Sequence, residues 1–133
     1  MATIFTRIIN GEIPSYKVAE NEYCYAFLDI NPLVLGHTLL VPKFEEDYIF
    51  NLPSKNYEQL WLFAHKLAKA IENSVECKRV GLAVLGMEVP HAHIHLVPLN
   101  TEDDLNFKKA KLQLSKEEFE SIAARISQSF KYL

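Results

Sequence analysis

Hydrophobic and polar residues follow two different periods along this chain. A two-residue alternation or a β-rich composition marks five short segments as candidate strands, over residues 15–20, 23–30, 37–42, 78–85 and 91–99. From Ser54 to about residue 73 the apolar positions recur every three or four residues, which predicts a long helix with Ser54 as its N-cap. A last helix is predicted after Ser115, because Ser115 and Glu118 have the spacing of a capping box.

The order of these elements favours an α+β fold. Residues 4–9 form a short apolar segment that ends at Asn10 and Gly11, which predicts a short helix before the first strand. The strands are joined by short turns, and a single long helix separates the third strand from the fourth, as in antiparallel sheets rather than βαβ units. We therefore expect a five-stranded antiparallel sheet with one long central helix and a C-terminal helix, the helices packed on one face.

The chain is predicted to form a single domain over residues 1–133. Its 133 residues suffice for a core without disulfide or metal staples, and no repeat or Gly/Ser/Pro-rich linker interrupts them. We expect the core within residues 3–99 and a C-terminal extension over 101–133 that carries the last helix. Residues 101–111 are charged, and we interpret them as a solvated linker into that helix.

Charge and apolar content narrow the partners and the compartment. The formal net charge is −3 and the lysines and arginines form no stripe, which argues against nucleic acid or an anionic membrane and for a small ligand. No apolar run approaches the ~20 residues of a membrane span, and the N-terminus lacks the pattern of a signal peptide. With only Cys24 and Cys77 as thiols, these features predict a cytoplasmic protein with reduced cysteines.

Three histidines at alternate positions are the candidate chemistry. On an extended strand His91, His93 and His95 would share one face, while Ile94 and Leu96 would take the other and meet the helix layer. An imidazole titrates near a pKa of about 6.5, so each ring can act as nucleophile, proton donor or metal ligand. We expect the histidines on an open face that meets a ligand.

Not every histidine carries the same weight. His65 stands alone in a helical pattern and is interpreted as a residue without chemistry. The three alternating rings have no simple packing rationale, because large polar groups cost free energy when they are buried without partners. His37 opens the third strand and could join them. From the residues alone, a site in which the three rings bind a catalytic metal stays an alternative.

Four sequence blocks in a fixed order carry a family resemblance. They are Ile4-Phe5 with Ile8-Ile9-x-Gly11-Glu12-Ile13-Pro14, Ala26-Phe27-Leu28-Asp29-Ile30-Asn31-Pro32, Gly36-His37-Thr38-Leu39-Leu40-Val41-Pro42-Lys43 and His91-x-His93-x-His95. With these blocks the chain is similar to the histidine triad (HIT) family, and within it to the Hint-like nucleotide phosphoramidases.

The resemblance implies a role for each histidine. His93 would attack the α-phosphorus of a nucleotide ester or phosphoramidate and form a nucleotidyl-histidine intermediate that water then hydrolyses. One nitrogen of His93 must then be unprotonated, and the other should donate a hydrogen bond, for example to a backbone carbonyl of its own strand. His95 and His37 would bind phosphate oxygens or help protonate the leaving group, and His91 would order the others from behind.

The resemblance also implies where the nucleoside binds and how the chain assembles. Asp29 would hold the ribose hydroxyls, since a carboxylate accepts two hydroxyl donors readily. An apolar slot for a purine base would be built from Phe5 (or Ile4), Ile8, Ile13, Phe27 and Ile30. The implied assembly is a homodimer in which two five-stranded sheets join.

Two departures from the family pattern bear on chemistry. Many relatives carry thiol and histidine ligands for a structural zinc where this chain has Thr3, Thr6 and Glu45, and hydroxyls are poor zinc ligands. We therefore expect neither a structural metal nor another cofactor. Met87 stands where relatives have a glutamine that contacts the phosphate, so the resemblance implies a nucleotide contact at Met87, although a thioether cannot donate a hydrogen bond. A nucleotide-binding or partner-binding protein with weak or no catalysis is therefore the alternative to the enzyme.

Overall fold

A computed structural model describes residues 2–133 of the chain. Its helices and strands run in the order α1 (Ile4–Ile9), β1 (Lys17–Glu20), β2 (Cys24–Leu28), β3 (Thr38–Pro42), α2 (Ser54–Ser74), β4 (Arg79–Ala83), β5 (Ile94–Leu99) and α3 (Lys116–Lys131). Short 3-10 helices lie at Ile49–Asn51 and Glu102–Leu105. Among the described residues, no helix is both long and apolar enough to cross a membrane.

The five strands form one antiparallel sheet in the order β1-β2-β3-β5-β4. The α+β class and the five-stranded antiparallel sheet are therefore confirmed. The capping box of α3 is also present, since Ser115 Oγ accepts from the backbone N–H of Glu118 and Glu118 Oε1 accepts from that of Ser115. The prediction of Ser54 as the N-cap of α2 was wrong. Ser54 is the first helical residue, and the N-cap is Pro53, which makes no side-chain hydrogen bond to the helix.

Helices cover both faces of the sheet, so the expectation of helices on one face was wrong. Cys24, Ala26 and Leu28 of β2 face α2 and α3, whereas Tyr25 and Phe27 pack with α1 on the opposite side. Every residue of β2 and of β3 is buried. A sheet centre that is apolar on both faces needs cover on both, and α1 supplies it on the second.

The histidine segment is a strand only in its second half. β5 begins at Ile94, so His91 and His93 lie in the loop before it rather than in the strand. The backbone N–H of Ala92 donates to Glu46 O at 2.6 Å instead of continuing the ladder with β3. Pro42, at the end of β3, has no N–H to offer an opposing strand, so the pairing stops there.

Candidate active site

A cleft of about 260 Å³ opens on the α1 side of the sheet. It is lined by eight of the residues that the sequence predicts for the site, namely Phe5, Ile8, Ile13, Phe27, Asp29, Ile30, His93 and His95. Leu39, Glu88 and Val89 also line it and were missed, because only the fold brings their segments to this place. His37 and His91 do not line it.

The four histidines are buried rather than displayed on an open surface. Their exposed fractions are 1% for His37, 0% for His91, 7% for His93 and 9% for His95. The expectation of an open histidine face was therefore wrong, because α1 covers this side of the sheet. Buried imidazoles need hydrogen-bond partners, and those partners determine which nitrogen of each ring carries the proton.

The partner of His93 leaves its second nitrogen free to react. His93 Nδ1 lies 2.8 Å from the backbone carbonyl oxygen of His91, which can only accept. Nδ1 therefore carries the proton, and in the neutral ring Nε2 keeps an unshared pair. The edge-to-face contact with Phe5, at 5.0 Å between ring centroids, supports the ring from the α1 side. The hydrogen bond to a backbone carbonyl expected from the sequence is present.

A backbone amide determines the tautomers of the His37 and His95 rings. The N–H of Leu33 donates to His37 Nδ1 at 3.0 Å, so the proton of the neutral His37 ring lies on Nε2. His37 Nε2 in turn donates to His95 Nδ1 at 3.0 Å. The proton of neutral His95 must then lie on Nε2. His95 lines the cleft, and in this tautomer its Nε2–H can donate a hydrogen bond to a ligand.

Burial keeps both rings neutral at pH 7. It lowers the pKa of His37 to about 3, helped by the positive charges of a protonated His95 and of Lys111. It lowers the pKa of His95 to about 4, with a smaller contribution from His93. Burial also raises the pKa of Asp29, whose Oδ2 lies 3.5 Å from His37 Nε2. Because His37 is neutral, this contact is not an ion pair.

The alternative of a catalytic metal fits these contacts poorly. Both ring nitrogens of His91 and one of His93 are occupied by protein partners, so these rings do not converge on one ion. The potential ligand atoms of Asp29, His37 and His95 do lie within 4.8 Å of one another. A cation on His37 Nε2 would move the ring proton to Nδ1, against the N–H of Leu33. The local contacts therefore favour a chain of hydrogen bonds from Leu33 through His37 to His95 over a bound metal ion.

Thr3, Thr6 and Glu45 form a hydrogen-bonded cluster with His91. His91 Nε2 lies 2.8 Å from Pro42 O, so Nε2 carries the proton and Nδ1 accepts from Thr3 Oγ1 at 2.7 Å. Glu45 Oε1 accepts from Thr6 Oγ1 at 2.6 Å and from the N–H of Thr3 at 2.9 Å. These groups satisfy one another, and two hydroxyls in the set make it a poor match for zinc.

Replacing Thr3 by valine is expected to destabilise the fold by about 2–3 kcal/mol. The change removes the short hydrogen bond to the buried His91 Nδ1 and leaves only the hydroxyl of Thr6, at 3.5 Å, near that nitrogen. It also removes the N-cap of α1, because Thr3 Oγ1 accepts from the N–H of Thr6. Urea unfolding measures the loss. Thr3→Ser keeps the hydroxyl and is the matched control. An equal loss in both variants would show that the methyl group, not the hydrogen bonds, matters.

Met87 does not line the cleft, which does not support the nucleotide contact predicted for it. Its side chain is 88% exposed, and the neighbouring residues Glu88 and Val89 line the cleft instead. Gly86 has a φ of +70°, a conformation that glycine adopts readily, and it turns the chain just before Met87. Glu88 is therefore the charged residue that this loop adds to the lining of the cleft.

Comparison with known proteins agrees with this geometry. The family model described as HIT domain matches residues 10–102. The chain belongs to the histidine triad (HIT) family. The resemblance inferred from the sequence motifs is thereby confirmed.

Relatives of this HIT protein match it over nearly its whole length. It is 37% identical to an uncharacterized HIT-like protein of Borreliella burgdorferi, over 93% of this chain and 95% of that one. It is 32% identical to adenosine 5'-monophosphoramidase hnt1 of Schizosaccharomyces pombe, over 98% and 100%. A crystal structure of a hypothetical histidine triad nucleotide-binding protein of Sulfolobus tokodaii superposes with a TM-score of 0.83 at 28% identity, over 97% and 92%.

Proposed function

We propose that this HIT protein cleaves purine nucleoside phosphoramidates or related phosphoesters through a nucleotidyl-histidine intermediate on His93. The observation that carries the proposal is the hydrogen bond from His93 Nδ1 to the carbonyl of His91, which leaves Nε2 unprotonated in a ring that lines the cleft. A fission-yeast relative that matches 98% of the chain is named an adenosine 5'-monophosphoramidase, which supports the same substrate class.

The first step forms a bond between His93 Nε2 and the α-phosphorus. The bond from phosphorus to the amine nitrogen breaks, and the amine leaves with the electron pair and takes a proton from water. His93 becomes a cation, which the carbonyl of His91 stabilises through Nδ1–H. His95 Nε2–H donates to a phosphoryl oxygen, and His37 holds His95 in that tautomer.

The second step returns the enzyme to its starting state. Water attacks the phosphorus and loses a proton to the solvent, which replaces the proton that the amine took in the first step. The bond to Nε2 breaks, and its electron pair goes back to the His93 ring. The products are the nucleoside monophosphate and the amine, with one water consumed per turnover. Two displacements through a histidine replace one harder attack by water.

The nucleoside end of the cleft matches the proposed substrate. Phe5, Ile8, Ile13 and Phe27 provide an apolar slot of a kind that accepts a flat base. Asp29 also lines the cleft, and its Oδ2, which lies 3.5 Å from His37 Nε2, can accept from ribose hydroxyls. Its Oδ1 already accepts from the N–H of Asn31 at 2.8 Å, which holds the carboxylate in place.

One observation favours a second function, nucleotide binding with weak or no catalysis. The loop before the histidines brings Glu88 to the cleft and turns Met87 away. A carboxylate there repels a phosphate instead of donating a hydrogen bond to it. A chain with this loop could bind a nucleotide yet turn it over slowly.

A single-turnover experiment distinguishes the two functions. Enzyme in excess is mixed with an adenosine phosphoramidate, and both AMP and an acid-labile protein adduct are followed by mass spectrometry. If the protein is the proposed enzyme, the adduct forms on the peptide that contains His93 before AMP release is complete. Nucleotide binding with neither adduct nor AMP, across several leaving amines, would favour the second function.

The homodimer is a separate proposal. β4 is an edge strand of the sheet, and its Leu82 and the following Leu85 are 39% and 56% exposed. An edge with apolar side chains is suited to pair with a second copy. We expect sedimentation equilibrium at micromolar concentration to give twice the chain mass, and a monomer would contradict the proposal. Cytoplasmic localisation stays a prediction.

A further inference from the structure

Residues 102–112, here called the strap, are mostly exposed, as expected for a solvated linker, but Phe107 in their middle packs onto the histidines, which the sequence did not predict. The strap begins with a 3-10 helix whose capping box joins Thr101 and Asp104. It is held at its far end by a hydrogen bond of 2.9 Å from the N–H of Leu112 to Pro32 O. The loop of Pro32 also contains Asp29 and leads to His37. The strap is therefore attached beside the histidine site.

Phe107, in the middle of the strap, covers the His37–His95 pair. Its ring meets that of His95 edge to face at 4.7 Å between centroids and that of His37 at 6.3 Å. Phe107 does not line the nucleotide cleft, so it contacts the pair from another side than the substrate would. Lys111 Nζ donates to the backbone carbonyl of Phe107 at 2.6 Å and holds this turn of the strap together.

We propose that Phe107 is a positioning residue that keeps water away from the His37–His95 pair and so preserves its neutral, ordered chain of hydrogen bonds. Water at the pair would offer both donors and acceptors, and either ring could then change its tautomer or take up a proton. With the apolar ring in place, His37 Nε2 has His95 Nδ1 as its short-range acceptor at 3.0 Å.

The charges around the pair do not depend on the Phe107 side chain. Asp29 approaches from the loop after β2, Lys111 from the strap and His93 from the loop before β5. Lys111 bonds to the backbone of residue 107, so a substitution of the ring leaves that contact available. A change at Phe107 therefore tests burial of the pair rather than its electrostatic partners.

The test is a pH titration of the histidine rings by NMR in Phe107→Ala, Phe107→Leu and the wild type, restricted to the pH range in which the amide spectrum shows each protein to be folded, with the midpoints taken from the protonated fraction at the acid end of that range. Phe107→Ala should raise the titration midpoints of His37 and His95 by about one pH unit or more toward the ordinary value. Phe107→Leu, which keeps an apolar cover, should stay close to the wild type. Phe50→Ala removes another aromatic ring, 65% exposed, and is the matched control with no expected shift.

Unchanged midpoints in folded Phe107→Ala would overturn the proposal. Should that variant not fold, Phe107→Val gives a smaller cover, and its midpoints must rise for the proposal to stand. The link to catalysis rests on the proposed function and predicts that the acid limb of kcat/KM moves with the midpoints. The NMR measurement needs no turnover, so an inactive protein would count against the proposed function and not against the role of Phe107.

Discussion

Replacing His93 by alanine is expected to lower the rate of AMP formation by about 10³-fold or more and to abolish the covalent adduct. The substitution removes the atom that would bond to phosphorus. It leaves Asp29 and the apolar slot of the cleft unchanged. Nucleotide affinity, measured by calorimetry with AMP, should therefore change little.

Two controls separate loss of the nucleophile from loss of structure. His93→Ala also leaves the carbonyl of His91 without its partner, so its stability is checked by urea unfolding. His65→Ala changes a histidine on the exposed side of α2 and should keep full activity. Wild-type turnover in folded His93→Ala would contradict the nucleophile assignment and the mechanism with it.

A weaker effect is expected at His95. His95→Gln retains a donor near the phosphoryl oxygen and should be slower than the wild type but faster than His93→Ala. The order of the two variants follows from chemistry, since a hydrogen-bond donor can be replaced in part whereas the attacking atom cannot.

The layout of the fold could be predicted because its signals are local. The alternation of Ile94 and Leu96 places both on the helix side of the sheet, as expected. The capping box at Ser115 marks the start of α3 within one residue. Such features depend on neighbours a few residues apart, and a sequence displays them directly.

Long-range contacts account for what could not be predicted. β2 consists of residues typical of strands and is apolar on both faces. Its sequence therefore does not indicate that α1 covers the second face. The hydrogen bonds of Glu45 to residues about forty positions away leave no periodic trace. The charged strap gave no sign that Phe107 would reach His95.

The candidate site follows the same division. The sequence groups His93, Asp29 and the apolar residues into one candidate site because their residue types stand in recognisable blocks, and these residues line one cleft in the structure. Their hydrogen bonds were not predicted, apart from the one at His93, because Leu33 and Pro42 act through backbone groups that look alike in any sequence. Turning Met87 away from the cleft depends likewise on backbone conformation at Gly86.

Acid is expected to destabilise this protein well above the pH at which its buried histidines titrate. Burial lowers the folded-state pKa of His37 to about 3 and of His95 to about 4, against about 6.5 in the unfolded chain. Between these values the unfolded state binds more protons than the folded state, so stability falls as the pH falls. Burial lowers the pKa of His91 too, which adds to the effect in the same direction.

The size of the effect follows from linkage. Above about pH 6.5 both histidines are mostly neutral in the folded and in the unfolded chain, and their protonation lowers the free energy of unfolding little. At pH 5 the protonation of His37 and of His95 in the unfolded chain should each have lowered the free energy of unfolding by about 2 kcal/mol. Urea unfolding at pH 7.5 and pH 5.0 measures the sum, about 4 kcal/mol for the pair.

A variant of His37 identifies the source of the pH dependence. His37→Asn still offers an acceptor and a donor to the neighbouring groups but cannot be protonated, so the difference between the two pH values should shrink by about 2 kcal/mol. His65→Gln, at an exposed position, should leave the difference unchanged. Equal stability of the wild type at both pH values would mean that the pair is already protonated or solvated in the folded protein, contrary to the contacts that make His95 a neutral donor.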